Sequence, residues 1–166
     1  AAGVTLDFTR ETLRPRAGAL EMLAEARAVG YKLGLITDCS PAVPLLWPDT
    51  PFAPLIDAPV FSCKVRLRKP DPGIYEVACE RLGIEAESCV YVGDGSSDEL
   101  RGASEAGMRA VLFCCDYADS YDAHRPGVTG WQGASMSRFE DLLPLVYSSE
   151  CGGRHHGSSG NPLAGT

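Results

Sequence analysis

The sequence predicts an α/β fold built on a parallel sheet, and three observations carry that prediction. Short, nearly continuous apolar runs of strand length recur at residues 31–36, 59–62, 89–92 and 109–114. Stretches with helical apolar spacing lie between them, at about residues 73–82 and on to Ala106. Three of the runs open into polar loops, Thr37-Asp38-Cys39-Ser40, the basic CKVRLRKPDP and the acidic GDGSSD. Strands alternating with helices at this spacing argue for right-handed βαβ units. Ligands on such sheets gather outside the carboxyl ends of the strands, so Thr37–Ser40, Arg66–Pro70 and Asp94–Asp98 are expected together in space.

Taken in order, VTLDFTRETL at residues 4–13 reads as a short amphipathic helix, with a strand over 4–8 as the alternative, and Arg14-Pro15-Arg16 breaks it. Leu20, Leu23, Ala24, Ala26 and Val29 then share one helical face, and Gly30 closes that helix. The Pro-rich stretch SPAVPLLWPDTPFAPLIDAP has room only for short helices before the 59–62 strand. Past Cys115 the chain reads as loop and short strand until FEDLLPLVYSS forms a last helix, interrupted at Pro144. Residues 149–166 are Gly/Ser-rich with few large apolar groups, and disorder is expected there; His155-His156 within them is a weak metal motif.

Composition narrows the class of function. A chain of 166 residues with 45% hydrophobic and 22% charged residues is long enough for one domain with a core. Its formal charge of -7 offers no basic face for nucleic acid or an anionic membrane, so a small ligand or a protein is the expected partner. Seven cysteines, none in a C-x-x-C pair, read as reduced thiols in a cytoplasmic protein. No apolar run approaches the roughly 18 residues of a membrane span.

In YVGDGSSDEL, residues 91–100, Asp94 and Asp98 follow a strand and precede a helix. Either aspartate, or Ser96, could serve only as a helix cap favoured by the macrodipole. Thr37 could simply end its strand, and Lys69 beside Arg66 and Arg68 could belong to a solvated basic loop. Trp47, Trp131 and Tyr117 could line a pocket, although isolated aromatics are more often packing residues.

Taken together, three stretches resemble the motifs of the haloacid dehalogenase-like hydrolases, most of which are magnesium-dependent phosphatases. LGLITD with Thr37 is similar to the family's second motif, RKPDPGIYEVACERLGI with Lys69 to its third, and VYVGDGSSD with Asp94 and Asp98 to its fourth. The motifs occur in order, from roughly residue 15 to 115, and the K-P-D-P-x-I-Y form resembles the capped phosphatase branch. The resemblance implies a Rossmann-like core with helices on both faces. It also implies Thr37, Lys69 and Asp94 as catalytic residues, Thr37, Asp38 and Lys69 as phosphate donors, and Asp94 and Asp98 as ligands or orienters of Mg2+. Hydroxyl, backbone N–H and ammonium donors suit the charge on a phosphoryl group in transfer. Carboxylate oxygens suit a hard cation.

The family's first motif, an apolar strand followed by D-x-D-x-T, has no match. The nearest stretch, TLDFTRET, offers Asp7 but carries Thr9 where the second Asp belongs. Residues 1–14 are therefore expected to end a cap domain, with Asp7 on the surface, and residues 15–148 to form the core domain. On that reading the nucleophile lies upstream of residue 1, and the sheet lacks the first strand that the family places at its centre. The expected function is a magnesium-dependent phosphatase acting on a small phosphorylated metabolite through an aspartyl-phosphate. The alternative is a non-catalytic phosphate- or metal-binding module that has lost its nucleophile.

Overall fold

The computed structural model describes residues 2–114, 128 and 130–150. Residues 2–12 are helical (α1, Ala2–Thr12), which decides between helix and strand for this segment. Helix α2 (Ala19–Ala28) buries Ala19 and Ala26, while Ala24 and Val29 of the predicted face are exposed, so the buried face is turned from the one the periodicity suggests. It ends at Gly30, whose φ of +97° lets the Gly30 and Tyr31 N–H groups donate back to the Arg27 and Ala26 carbonyls. Strand β1 (Gly34–Thr37) follows, then the short helix α3 (Ala42–Leu46) with a 3-10 turn over Trp47–Asp49, and strand β2 (Ala58–Phe61). Trp47 packs its ring against Phe52 and Phe61, so it serves packing.

The basic loop is more ordered than the sequence suggests. Ser62–Val65 form a helical turn (α4) that Arg66 ends at φ 62°. Helix α5 (Pro72–Leu82) starts with Pro72 in its first turn, where no N–H is needed, and the Asp71 carboxylate accepts the Gly73 N–H at 2.9 Å. Strand β3 (Val90–Gly93), helix α6 (Glu99–Glu105), strand β4 (Arg109–Phe113) and strand β5 (Ala134–Met136) complete the βαβ pattern.

The last helix, α7 (Leu142–Glu150), runs through Pro144 without interruption. Pro144 is its third residue, and first-turn N–H groups have no partner within the helix, so proline costs nothing there. Helix α7 takes in two residues of the stretch expected to be disordered. Residues 151–166, Tyr117 and His155-His156 lie outside the described residues. Trp131 donates its Nε1–H to the Ala134 carbonyl at 3.0 Å, a local bracing of β5. No described helix is long and apolar enough to cross a membrane.

All strand pairs are parallel, as expected, and the sheet is in two parts, as a missing central strand implies. β1 pairs with β2 in one, and β3-β4-β5 form the other. β1 and β3 each pair with a strand on one edge only. Among the described residues no strand pairs with their other edges, where backbone donors and acceptors lack ladder partners. Helices α5 and α6 hold the parts together from one face. Val60 of β2, Ile74, Tyr75 and Ala78 of α5, Leu100 and Ala103 of α6, and Ala110 and Leu112 of β4 form one buried cluster. Burying a Leu, Ile or Val side chain contributes about 1.5–3 kcal/mol, so this shared cluster is the main tie across the divided sheet.

Candidate functional site

The three polar loops expected at the carboxyl ends of the strands do meet, and Lys69 is where they meet. Its backbone N–H donates to Asp38 Oδ1 at 3.1 Å, joining the loop after β2 to the loop after β1. Its ammonium pairs with Glu99 Oε2 at the start of α6, joining it to the turn after β3. The Lys69 side chain is 11% exposed and that of Glu99 4%. Lys69 is thus a buried cation in a built network, which removes the solvated-loop reading. The Lys69–Pro70 peptide is cis.

Glu99 is the residue that motif reading missed. Its carboxylate accepts from Lys69 Nζ, from the Tyr91 hydroxyl at 2.8 Å and from the Gly95 N–H at 3.2 Å. The Tyr75 hydroxyl donates to its backbone carbonyl at 2.9 Å. Burial pushes both phenols well above their usual range, and the Glu99 charge raises them further, so they remain donors. Space for this carboxylate comes from Gly93, where a Cβ would lie 2.2 Å from Glu99 Oε1. The available signal was an acid at the first position of an amphipathic helix beside a tyrosine-bearing strand. That pattern marks a helix start as readily as a site.

The two aspartates of the acidic turn part company. The Asp94 carboxylate accepts the Ser96 N–H at 3.0 Å, closing the turn directly after β3. Ser97 and Asp98 are both left-handed, at φ 52° and 54°, a conformation Asp tolerates better than most residues. Asp98 takes the Arg101 Nε–H at 2.6 Å, while Glu99, the next residue, faces inward. Thr37 sits at the end of β1, half-buried, and Asp38 beyond it is exposed. Hydrogen bonds thus join Asp38, Lys69 and Glu99, while Thr37 closes β1, Asp94 follows β3, and Asp98 is in an ion pair with Arg101.

Asp94 and Asp98 have the oxygen donors a hard cation takes. Among the described residues, however, no group of three or more His, Cys, Asp or Glu side chains is gathered that could hold a metal ion. With Glu99 taken up by three donors, Asp94 and Asp98 are the carboxylates of this turn that would hold a magnesium ion, Asp98 on releasing Arg101. A separate pocket of about 270 Å³ opens between α5, the segment at Glu85 and Ala86, and Ala106 after α6, lined by Glu76, Glu80 and Glu85 among others. Its acidic lining is unsuited to a phosphate.

Residues 3–107 match the family model of the haloacid dehalogenase-like hydrolases. The chain is 33% identical over 138 residues to a glyceraldehyde 3-phosphate phosphatase from Methanocaldococcus jannaschii, covering 81% of this chain and 57% of that protein. It is 36% identical over 106 residues to a phosphoserine phosphatase from Thermus thermophilus, covering 61% and 41% respectively. The crystal structure of a phosphatase of this family from Thermococcus onnurineus superposes with a TM-score of 0.66 at 27% identity, covering 80% of this chain and 58% of that one. The chain thus spans about half the length of the curated relatives it matches. A family model covering most of the chain, together with the parallel α/β core and its convergent strand-end loops, places this protein among the haloacid dehalogenase-like hydrolases.

Proposed function

We propose that this chain is the core portion of a phosphatase for a small phosphate monoester, with the phosphoryl group held beside Thr37, Asp38 and Lys69. The observation that carries the reading is the buried Lys69 ammonium at the meeting point of three strand-end loops. An ammonium has three donors, and Glu99 takes one of them, which leaves two for phosphate oxygens. Glu99, itself fixed by Tyr91 and Gly95, positions that charge before substrate arrives, so little reorganisation accompanies binding. The Thr37 hydroxyl and the adjacent backbone N–H groups are the neutral donors at the end of β1.

Hydrolysis through an aspartyl-phosphate needs a carboxylate nucleophile in line with these donors. Asp7 is unsuited to that part, because it lies on α1 with its side chain 75% exposed and paired with Arg10 at 3.5 Å. We assign the nucleophile to a strand upstream of residue 1, seated between the open edges of β1 and β3, with α1 ending a cap. Magnesium dependence is proposed on donor chemistry: the ion needs only one or two protein carboxylates besides water and phosphate. Asp94 and Asp98 carry oxygens of the kind such an ion takes, with Asp98 available on releasing Arg101. A cytoplasmic location is proposed on cysteine usage, seven cysteines with none in a C-x-x-C pair.

Calorimetric titration with inorganic phosphate, with and without magnesium, tests the site, alongside phosphate release from p-nitrophenyl phosphate. The expected result is binding with little turnover, weakened about tenfold or more by Thr37→Val or by Lys69→Met in folded protein, consistent with about 1.4 kcal/mol or more of lost interaction. Unchanged affinity in both variants sinks the assignment. Magnesium-dependent release abolished by Asp7→Asn would overturn the reading of α1. The position of Asp7 also favours a second reading, a phosphate-binding module without turnover. That reading prevails if the chain joined to its natural upstream segment still binds phosphate but releases none.

A further inference from the structure

Cys39 and Cys63 stand level with each other at the carboxyl ends of two neighbouring strands. Thr37 pairs with Phe61 at the last rung of β1 and β2, and each cysteine lies two residues beyond its strand. Adjacent strands are spaced about 4.8 Å apart. The Cα–Cα range that a disulfide accepts is about 4.4–6.8 Å. The register thus starts the two side chains within bonding reach, and their Sγ atoms lie 3.8 Å apart, both half-buried. The Cys39 N–H donates to Ser62 Oγ at 2.9 Å, so the backbone beside the pair is already tied across the strand ends.

We propose that Cys39 and Cys63 form a dithiol–disulfide site that exchanges with low-molecular-weight disulfides of the oxidised glutathione class. One cysteine loses its proton and its thiolate attacks a sulfur of the small disulfide; a mixed disulfide forms and one small thiolate leaves. The second cysteine then attacks the protein sulfur of that mixed disulfide, the Cys39–Cys63 bond forms, and the second small thiolate leaves. The protein gives up two electrons, the small disulfide accepts them, and the two thiol protons pass to the two released thiolates. Burial, with Cys63 beside it, pushes the Cys39 thiol up to about 11. Cys39 therefore rests as a protonated thiol, and its attack accelerates with pH.

The bond would tether the loop after β1 to the start of α4. Asp38, which takes the Lys69 N–H, lies inside that tethered segment, so oxidation state and the stiffness of the loop beside Lys69 are linked. This inference concerns the bond and the loop, and it stands whether or not the loop binds phosphate. Cys79 and Cys89 also touch, which makes them the internal comparison.

Both cysteines fall in one tryptic peptide, residues 33–64. The full chain is incubated with oxidised glutathione in mildly alkaline buffer, quenched in acid, alkylated and digested, with mass spectrometry as the readout. The expected product is peptide 33–64 lighter by two hydrogens and carrying no alkyl group, restored to two alkyl groups by prior dithiothreitol. The oxidised chain should melt about 5–10 °C higher than the reduced chain, a rise absent in Cys63→Ser. Peptide 33–64 carrying two alkyl groups after Cys114 or the Cys79–Cys89 pair has been oxidised overturns the proposal. So does a Cys39–Cys63 bond that leaves the melting temperature unchanged or lowers it.

Discussion

Cutting the Lys69–Glu99 pair from either side should destabilise the fold unequally. Glu99 is the first residue of α6, and its carboxylate is 4% exposed and held by the Tyr91 hydroxyl and the Gly95 N–H, so it cannot swing to water. Lys69→Met leaves that carboxylate buried without its cation, and breaking a buried pair in this way costs about 3–5 kcal/mol. Glu99→Gln leaves the lysine instead, whose flexible stem can carry the ammonium from its 11% exposed position toward solvent. What is then lost is chiefly a charge-assisted hydrogen bond, about 1.5–3 kcal/mol. For a domain of this size about 2–4 °C of melting temperature accompanies each kcal/mol, so Lys69→Met should lower the midpoint by about 6–20 °C. Urea unfolding followed by circular dichroism measures both variants and the double variant on one scale. The double variant should cost less than the sum of the singles by about 2 kcal/mol or more, because the second substitution removes the group the first one stranded. Single costs below about 1 kcal/mol that add without coupling are the behaviour of an exposed ion pair, and would refute the buried network.

Three further outcomes are expected. Gly93→Ala places a Cβ 2.2 Å from Glu99 Oε1 and 2.9 Å from the Tyr91 ring, so it should displace the carboxylate and cost about as much as Glu99→Gln, checked by the same unfolding curves. Asp71→Ala removes the acceptor for the Gly73 N–H at the start of α5 and should cost about 1 kcal/mol; a change within error would mean that the cap is dispensable. Burial raises the Cys39 and Cys79 thiols from 9.0 to about 11, so the unfolded chain sheds these protons first as pH rises. The stability they contribute is complete below about pH 9 and falls as pH passes toward about 11; iodoacetamide should label exposed Cys114 before either of them, and equal labelling at neutral pH would contradict the burial.

The elements of this fold were legible in the sequence because each rests on local chemistry. The apolar runs at 59–62 and 89–92, the helical face closed by Gly30 and the Pro-Asp-Pro start of α5 each announce themselves within a dozen residues. Strand bounds shifted by a residue or more, as with β1, found at Gly34–Thr37 where the apolar run began at Tyr31, because apolarity marks burial and leaves the ladder's last rung open. Pro144 was misread as a break because its meaning depends on its distance from the helix start, which Phe139–Asp141 delay with a 3-10 turn. At the site, residue types and spacing pointed to the loops that carry Asp38 and Lys69, and the parallel topology was enough to place those loops at one end of the strands.

Which carboxylate meets Lys69 was a matter for tertiary structure. Two successive left-handed residues, Ser97 and Asp98, turn Asp98 toward Arg101 and Glu99 inward, and no spacing rule on an acidic turn contains that choice. The division of the sheet was expected from the motif resemblance, which places a missing first strand at its centre, and not from any local strand signal. By itself the sequence determined what the strands and helices are and which loops gather at their carboxyl ends, because periodicity, caps and the right-handed crossover act over short range. Only the folded chain decided which acid neutralises the buried lysine, which aspartate faces outward, and that Cys39 and Cys63 lie side by side, because each of those follows from backbone directions and registers set by residues far apart in the sequence.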